Sequence, residues 1–223
     1  VGHWTFDGKY LTSTKAKETS GLVNDGTRTN RPVAVPGKLG QALRFDGTSD
    51  YINVADTAGL RPGTGNFSYA LWIKPPNQNQ AIGAFLSKRL TSGTFNQISM
   101  GIGSLDGSCA ATASKRLFFV LVENGSNVAC SMTNADVADG LWHHAVLVRQ
   151  SGVITAYVDG VSSAYTSPVL SGNGYSNNID NTEPIRIGDG NGSLDYLGSI
   201  DDVRIYNRAL SASEITQLYR LGR

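Results

Sequence analysis

The chain has 223 residues, 40% of them hydrophobic and 17% charged, with a formal net charge of +1. That length supplies a sizeable core, and all-β sandwiches of this size commonly form one domain, so residues 1–223 are read as a single domain. The near-neutral charge argues against a nucleic-acid or anionic-membrane partner, which takes clustered Lys and Arg. No apolar run reaches the roughly 18 residues of a membrane span. The chain opens at Val1 and reads as strand almost at once, so its N-terminus is expected to be a processing boundary, with any signal or anchor outside it.

Taken in order, Val1–Phe6 is the first predicted strand. Lys9 to Pro36 is polar, with turn signals at Asn24-Asp25-Gly26 and Pro36-Gly37; it is expected to wrap the edge of the fold. Gln41–Phe45 and Tyr51–Val54 are strands. Phe67–Lys74 alternates cleanly, with Phe67, Tyr69, Leu71 and Ile73 on one face, and Pro75-Pro76 stops it. Ile82–Lys88, Gln97–Ile102, Leu117–Glu123, Asn127–Met132, Trp142–Gln150, Val153–Val158 and Pro184–Ile187 follow. Ile200–Tyr206 is the last strand, and it begins with Asp201-Asp202, a residue type depleted in strands. Ser211-Ala212-Ser213-Glu214 spells a capping box. It opens a short helix, Ala212 to Tyr219, whose Ile215, Leu218 and Tyr219 form one stripe. About thirteen short strands separated by Gly/Asn/Asp turns indicate an all-β, antiparallel two-sheet sandwich with one short C-terminal helix.

The two cysteines, Cys109 and Cys130, cannot alone make a four-ligand zinc site. Either they are buried thiols or they form a disulfide; the Gly-, Asn-, Ser- and Thr-rich composition favours the disulfide, worth about 3 kcal/mol for a loop of about 20 residues.

Four segments, in order, carry a family resemblance: Gly40–Gly47 with Asp50-Tyr51-Ile52; Phe67–Ile73; Gly140–Val146 with Ala156–Gly160; and Gly198–Ser211. Together they resemble the laminin-G-like, concanavalin-A-type jelly-roll domains of bacterial surface and secreted proteins, with pentraxins as more distant relatives. The resemblance implies two curved sheets packed face to face, with the first and last strands side by side. It also implies a carbohydrate- or protein-binding adhesion module, extracellular or on the cell surface, often one part of a larger chain and commonly carrying calcium.

The residues themselves speak against catalysis. Glycosidases of this architecture need two carboxylates about 5–9 Å apart, and none of the four glutamates, Glu18, Glu123, Glu183 and Glu214, has a second acid two residues away in a strand. Glu123 reads as a solvated turn residue. His143 and His144 are consecutive, so in a strand they face opposite sides and cannot share a metal. Calcium takes six to eight oxygens, and two places offer them. Asp46, Asp50, Asp201 and Asp202 converge if the last strand pairs near the first ones; the alternative is that Asp46 starts a turn and Asp202 pairs with Arg44 or Arg204. Asp189 and Asn191, with Asn96 opposite, are the second: a rim that partly resembles the acidic loop of pentraxins, shorter and with one acid only, as a site for calcium or sugar hydroxyls; the alternative is a flexible Asn/Gly turn. Trp4, Trp72 and Trp142 are assigned to core packing. Phe95, Tyr165, Tyr175 and Tyr196 are the loop aromatics, with Tyr175 the one expected to touch a ligand. The expected function is a non-catalytic carbohydrate-binding or adhesion module with a glycan or cell-surface protein as partner. A self-associating structural subunit and a polysaccharide hydrolase or lyase are the alternatives.

Overall fold

The computed structural model describes residues 1–79, 83–89, 96–105, 111–123, 127–163, 165–170, 177–192 and 194–223. In chain order the strands are β1 (Gly2–Trp4), β2 (Lys15–Ala16), β3 (Gly26–Thr29), β4 (Val33–Pro36), β5 (Gln41–Asp46), β6 (Tyr51–Val54), β7 (Phe67–Lys74), β8 (Gly83–Arg89) and β9 (Gln97–Leu105). They continue with β10 (Ala111–Glu123), β11 (Asn127–Asp136), β12 (His143–Gln150), β13 (Val153–Val158), β14 (Val161–Ser162), β15 (Tyr165–Leu170), β16 (Ile185–Ile187) and β17 (Leu197–Tyr206). The helix α1 (Ala212–Leu221) closes the chain.

The strands form two antiparallel sheets, a jelly-roll sandwich as expected. One runs β14-β13-β12-β7-β17-β5-β4, and the other β15-β11-β10-β9-β8-β16-β6-β3-β2. β5 and β1 divide one edge of β17 between them, β5 taking Leu197 to Ile200 and β1 taking Val203 to Ile205. The first and last strands therefore lie together, and the Val1 ammonium donates to the Ile205 carbonyl at 2.7 Å. The polar stretch from Lys9 to Pro36 does more than wrap an edge. It supplies β2 and β3 to one sheet and β4 to the other, because even polar residues must pair their backbone groups when they lie against a sheet.

Alternation decides the core. Phe67, Tyr69, Leu71 and Ile73 of β7 face inward with Ile200, Val203 and Ile205 of β17, against Phe85, Ile98, Met100, Leu121 and Ile187 of the opposite sheet. The outer face of β7 and β12 would otherwise leave Ala70, Val146 and Val148 in water; Leu210 and Ile215 cover them. α1 starts at the predicted capping box, the Glu214 amide donating to Ser211 Oγ and the Ser211 amide to Glu214 Oε2. Tyr219 stacks on Trp72 at 5.6 Å, so Trp72 is buried on the outer face beneath the helix, while Trp4 packs between the sheets.

Candidate functional site

The register across the first sheet sets the site. Arg44 of β5 is opposite Ser199 of β17, and Ser199 is opposite Lys74 of β7. Directly opposed residues share a face, and this row faces outward because Leu43, Ile200 and Ile73 of the neighbouring row are in the core. Trp142 precedes His143, which pairs with Ile73, so the indole arrives level with Lys74. The row lines an open groove of about 480 Å³, walled further by Pro36 and Pro75. That volume lies within the range of small-ligand sites. Trp142 is half-buried, and Arg44 and Lys74 are exposed. The assignment of Trp142 to the core is thus corrected: the indole is a groove wall. Its signal in the sequence, a tryptophan one residue ahead of a strand, acquires meaning only from the pairing of β12 with β7.

The four aspartates proposed for calcium do not converge. Asp46 is level with Leu197, whereas Asp201 lies four residues further along β17, roughly 13 Å away. Asp46 takes hydrogen bonds from the amides of Thr48, Ser49 and Asp50 and from both hydroxyls. Burial opposes its ionisation, but these bonds outweigh it and hold the carboxyl well below the usual range. Asp50 is buried beside it, and burial together with the Asp46 charge pushes its carboxyl up. Asp201 Oδ2 accepts the amides of Lys38 and Leu39, both at 2.8 Å. Asp202 accepts from His3 Nε2 at 2.6 Å and Arg204 Nε at 2.8 Å; burial opposes its ionisation, and these two partners reverse the effect. A bulge between Asp201 and Arg204, with Asp202 at φ 50°, puts both aspartates on the outer side. Among the described residues no three His, Cys, Asp or Glu are placed to hold a metal. The structure thus does not bring Asp46, Asp50, Asp201 and Asp202 together as one set of ligands: Asp46, Asp202 and Asp201 Oδ2 are engaged by the protein's own donors, and Asp201 Oδ1 is buried without a hydrogen-bond partner.

The rim residues are likewise used internally. Asp189 is buried, pairs with Arg186 and accepts the Gly192 amide at 2.9 Å. The Asn191 amide donates to the Arg89 carbonyl and the Asn96 amide to the Asp180 carbonyl. Tyr175, Phe95 and Cys109 lie outside the described residues, as does the Tyr165 side chain. Tyr196 does stand in a loop, one residue before β17, but its ring is buried against Phe45 and Phe85 and is closed to a ligand. Glu123, read as a solvated turn residue, is fully buried and pairs with Arg149 at 3.4 Å. A strand-end acid next to a turn looks solvated in sequence; only packing shows the guanidinium beside it. His143 and His144 do diverge. His143 bonds Asp159 and Asp139, whose pull outweighs burial and raises its pKa, while burial pushes His144 down to about 4.

Residues 46–216 match the sequence model of the family Laminin G 3, described as the concanavalin A-like lectin/glucanases superfamily. The chain belongs to this superfamily. It is 29% identical over 156 residues to the adhesion G-protein coupled receptor V1 of Danio rerio, a match covering 69% of this chain and 2% of that receptor. Among solved structures, the binding domain of Paraclostridial Mosquitocidal Protein 1 superposes with a TM-score of 0.73 at 18% identity, over 98% of this chain and 51% of that one. Domain 4 of AbnA, an extracellular arabinanase from Geobacillus stearothermophilus solved with arabinotriose, gives 0.72 at 22% identity, over 98% and 97%. The binding domain of Botulinum Neurotoxin DC, solved with SialylT, gives 0.71 at 15% identity, over 99% and 51%. These likenesses establish the fold. No described helix is long and apolar enough to cross a membrane.

Proposed function

We propose that this chain is a non-catalytic carbohydrate-binding or adhesion module of a secreted or cell-surface protein, part of a larger chain. The observation that carries the reading is the outer groove. An aromatic ring beside two prolines offers an apolar wall for a sugar ring, and Arg44, Ser199 and Lys74 supply polar groups at its floor. A rigid sheet holds these groups in place, which lowers the ordering cost of binding. Superfamily membership supports it, as does the fold shared with an arabinanase domain solved with arabinotriose.

The placement of the acids supports the non-catalytic reading. Among the described residues no carboxylate lines the groove. Glu18 accepts the amides of His3, Ser20 and Leu22, Glu123 is buried with Arg149, and Glu214 caps α1. The reading also assigns no step to calcium; chelator that abolished binding would reverse that point. Cys130 is buried and no described cysteine is free, which supports a Cys109–Cys130 disulfide in an oxidising compartment; intact mass before and after reduction tests it. Binding is tested on a glycan array with the parent and Trp142→Ala. The variant is expected to lose about tenfold or more in affinity, ~1.4 kcal/mol, at unchanged Tm. Undiminished binding by a folded Trp142→Ala would move the site elsewhere.

Self-association is the second reading. Val33 on β4 and Val161 on β14 are exposed, and these strands end the first sheet on its two sides. Unprotected edges invite pairing, so a monomer at millimolar concentration in sedimentation would remove this reading.

A further inference from the structure

The groove offers hydrogen-bond donors almost without acceptors. Arg44 and Lys74 are donors only; among the described residues Ser199 Oγ is the single side-chain oxygen in its lining. A neutral sugar presents hydroxyls that both donate and accept, and a groove shaped for one pairs its donors with carboxylate or amide oxygens. Here a ligand can satisfy the floor only by bringing acceptor oxygens of its own.

Charge points the same way. Among the described residues neither Arg44 nor Lys74 forms an ion pair. The acids nearest in chain and register are each occupied elsewhere. Asp46, two residues along β5 from Arg44, is held by Thr48, Ser49 and Asp50. Asp139, beside Gly140 at the groove's end, is held by His143 and the Leu141 amide. Asp201, next but one to Ser199, is fully buried and its Oδ2 is held by the Lys38 and Leu39 amides. The two cations stand two strands apart across Ser199, about 10 Å between backbones, and their long side chains can close on one anionic group between them. A guanidinium matches a carboxylate with two parallel bonds, and charge-assisted bonds of this kind are the stronger ones.

We propose that the groove is a subsite for acidic saccharides: Arg44 and Lys74 take the carboxylate of a pyranose whose ring rests against Trp142. The proposal rests on the carbohydrate-binding reading above and adds the ligand's charge. The carboxylate can belong to a uronate within a polysaccharide or to a terminal sialic acid; both present the same group on the same ring.

The test is calorimetric titration of the parent and of the double variant Arg44→Gln/Lys74→Gln. The probes are paired: tetragalacturonate with its methyl ester, and sialyllactose with lactose. The parent is expected to bind at least one acidic probe about tenfold or more tighter than its neutral counterpart, with the preference shrinking as salt rises. The double variant should lose that preference while keeping its Tm, and the pair that shows the effect identifies the source of the carboxylate. Equal binding of acidic and neutral probes, or a preference that survives in the double variant, overturns the proposal and leaves the carbohydrate-binding reading intact. Binding to no probe here and to no glycan on the array overturns both.

Discussion

At the scale of single residues, burial decides what the charged groups do. Asp201 is pushed up to about 7 by burial; the Leu39 and Lys38 amides pull the other way and the Asp202 charge adds to the rise. Between the ordinary carboxylate value of 3.8 and about 7, the folded state holds a proton that the unfolded chain has released, so stability falls as pH rises through that window. His144, pushed to about 4 by burial, has the opposite sign: the unfolded chain binds the extra proton between about 4 and 6.5, and stability rises with pH there. Asp201→Asn keeps an oxygen for both amides and abolishes the ionisation. Relative to the parent, the variant should gain on the order of 2 kcal/mol between pH 5 and pH 7.5, read by urea unfolding at both values. A difference that does not change with pH would falsify this account of Asp201. None of this was visible in sequence, where Asp201-Asp202 was an awkward strand start. The bulge at Asp202 explains the pair: it lets one aspartate hold a turn and its neighbour hold His3 and Arg204.

Local elements were the most legible level. Period-two alternation placed Phe67, Tyr69, Leu71 and Ile73 in the core, because a strand with one buried face cannot slip by a residue without turning that face to water. The capping box located the start of α1, since its chemistry is contained within four residues. Ser211→Ala removes the acceptor for the Glu214 amide and should cost about 1 kcal/mol, seen as a lowered Tm with no change in ligand binding. β2, β3 and β4 were not legible. Lys15-Ala16 and Gly26–Thr29 have no alternating apolar pattern; β3 is a strand because β6 offers it a partner edge, and β2 because β3 then offers the next. Trp142 failed in the opposite way: tryptophan is a good core residue by type, and only the register with β7 shows that this one stands at a groove.

For the whole molecule, the link between the sheets is the test of the architecture. Arg149 of β12 is fully buried, pairs with Glu123 of β10, donates to the carbonyls of Gly63 and Gly65, and lies over the Phe67 ring at 4.9 Å. Arg149→Ala leaves a buried carboxylate and the carbonyls of Gly63 and Gly65 without these donors. It should destabilise the fold by about 3–5 kcal/mol, measured by denaturant unfolding. Arg149→Lys should recover only part of this, because an ammonium cannot reproduce the fork of bonds. A cost near zero would mean that the sheets are held by the apolar core alone. What the sequence by itself determined was the class of fold: turn chemistry, alternation and capping act between near neighbours and survive in a string of letters. The four ordered motifs also carried the superfamily, and with it the meeting of first and last strands. What only the tertiary structure decided was which charged groups are spent and which are free. Asp46, Asp189, Asp201 and Asp202 looked available and are engaged by the protein's own donors, local ones at Asp46 and Asp189 and partners from distant segments at Asp201 and Asp202, whereas Arg44, read only as a partner for Asp202, and Lys74 stand together in the groove. Strand register brings residues far apart in the chain onto one face, and which of them meet there is not written in either segment alone.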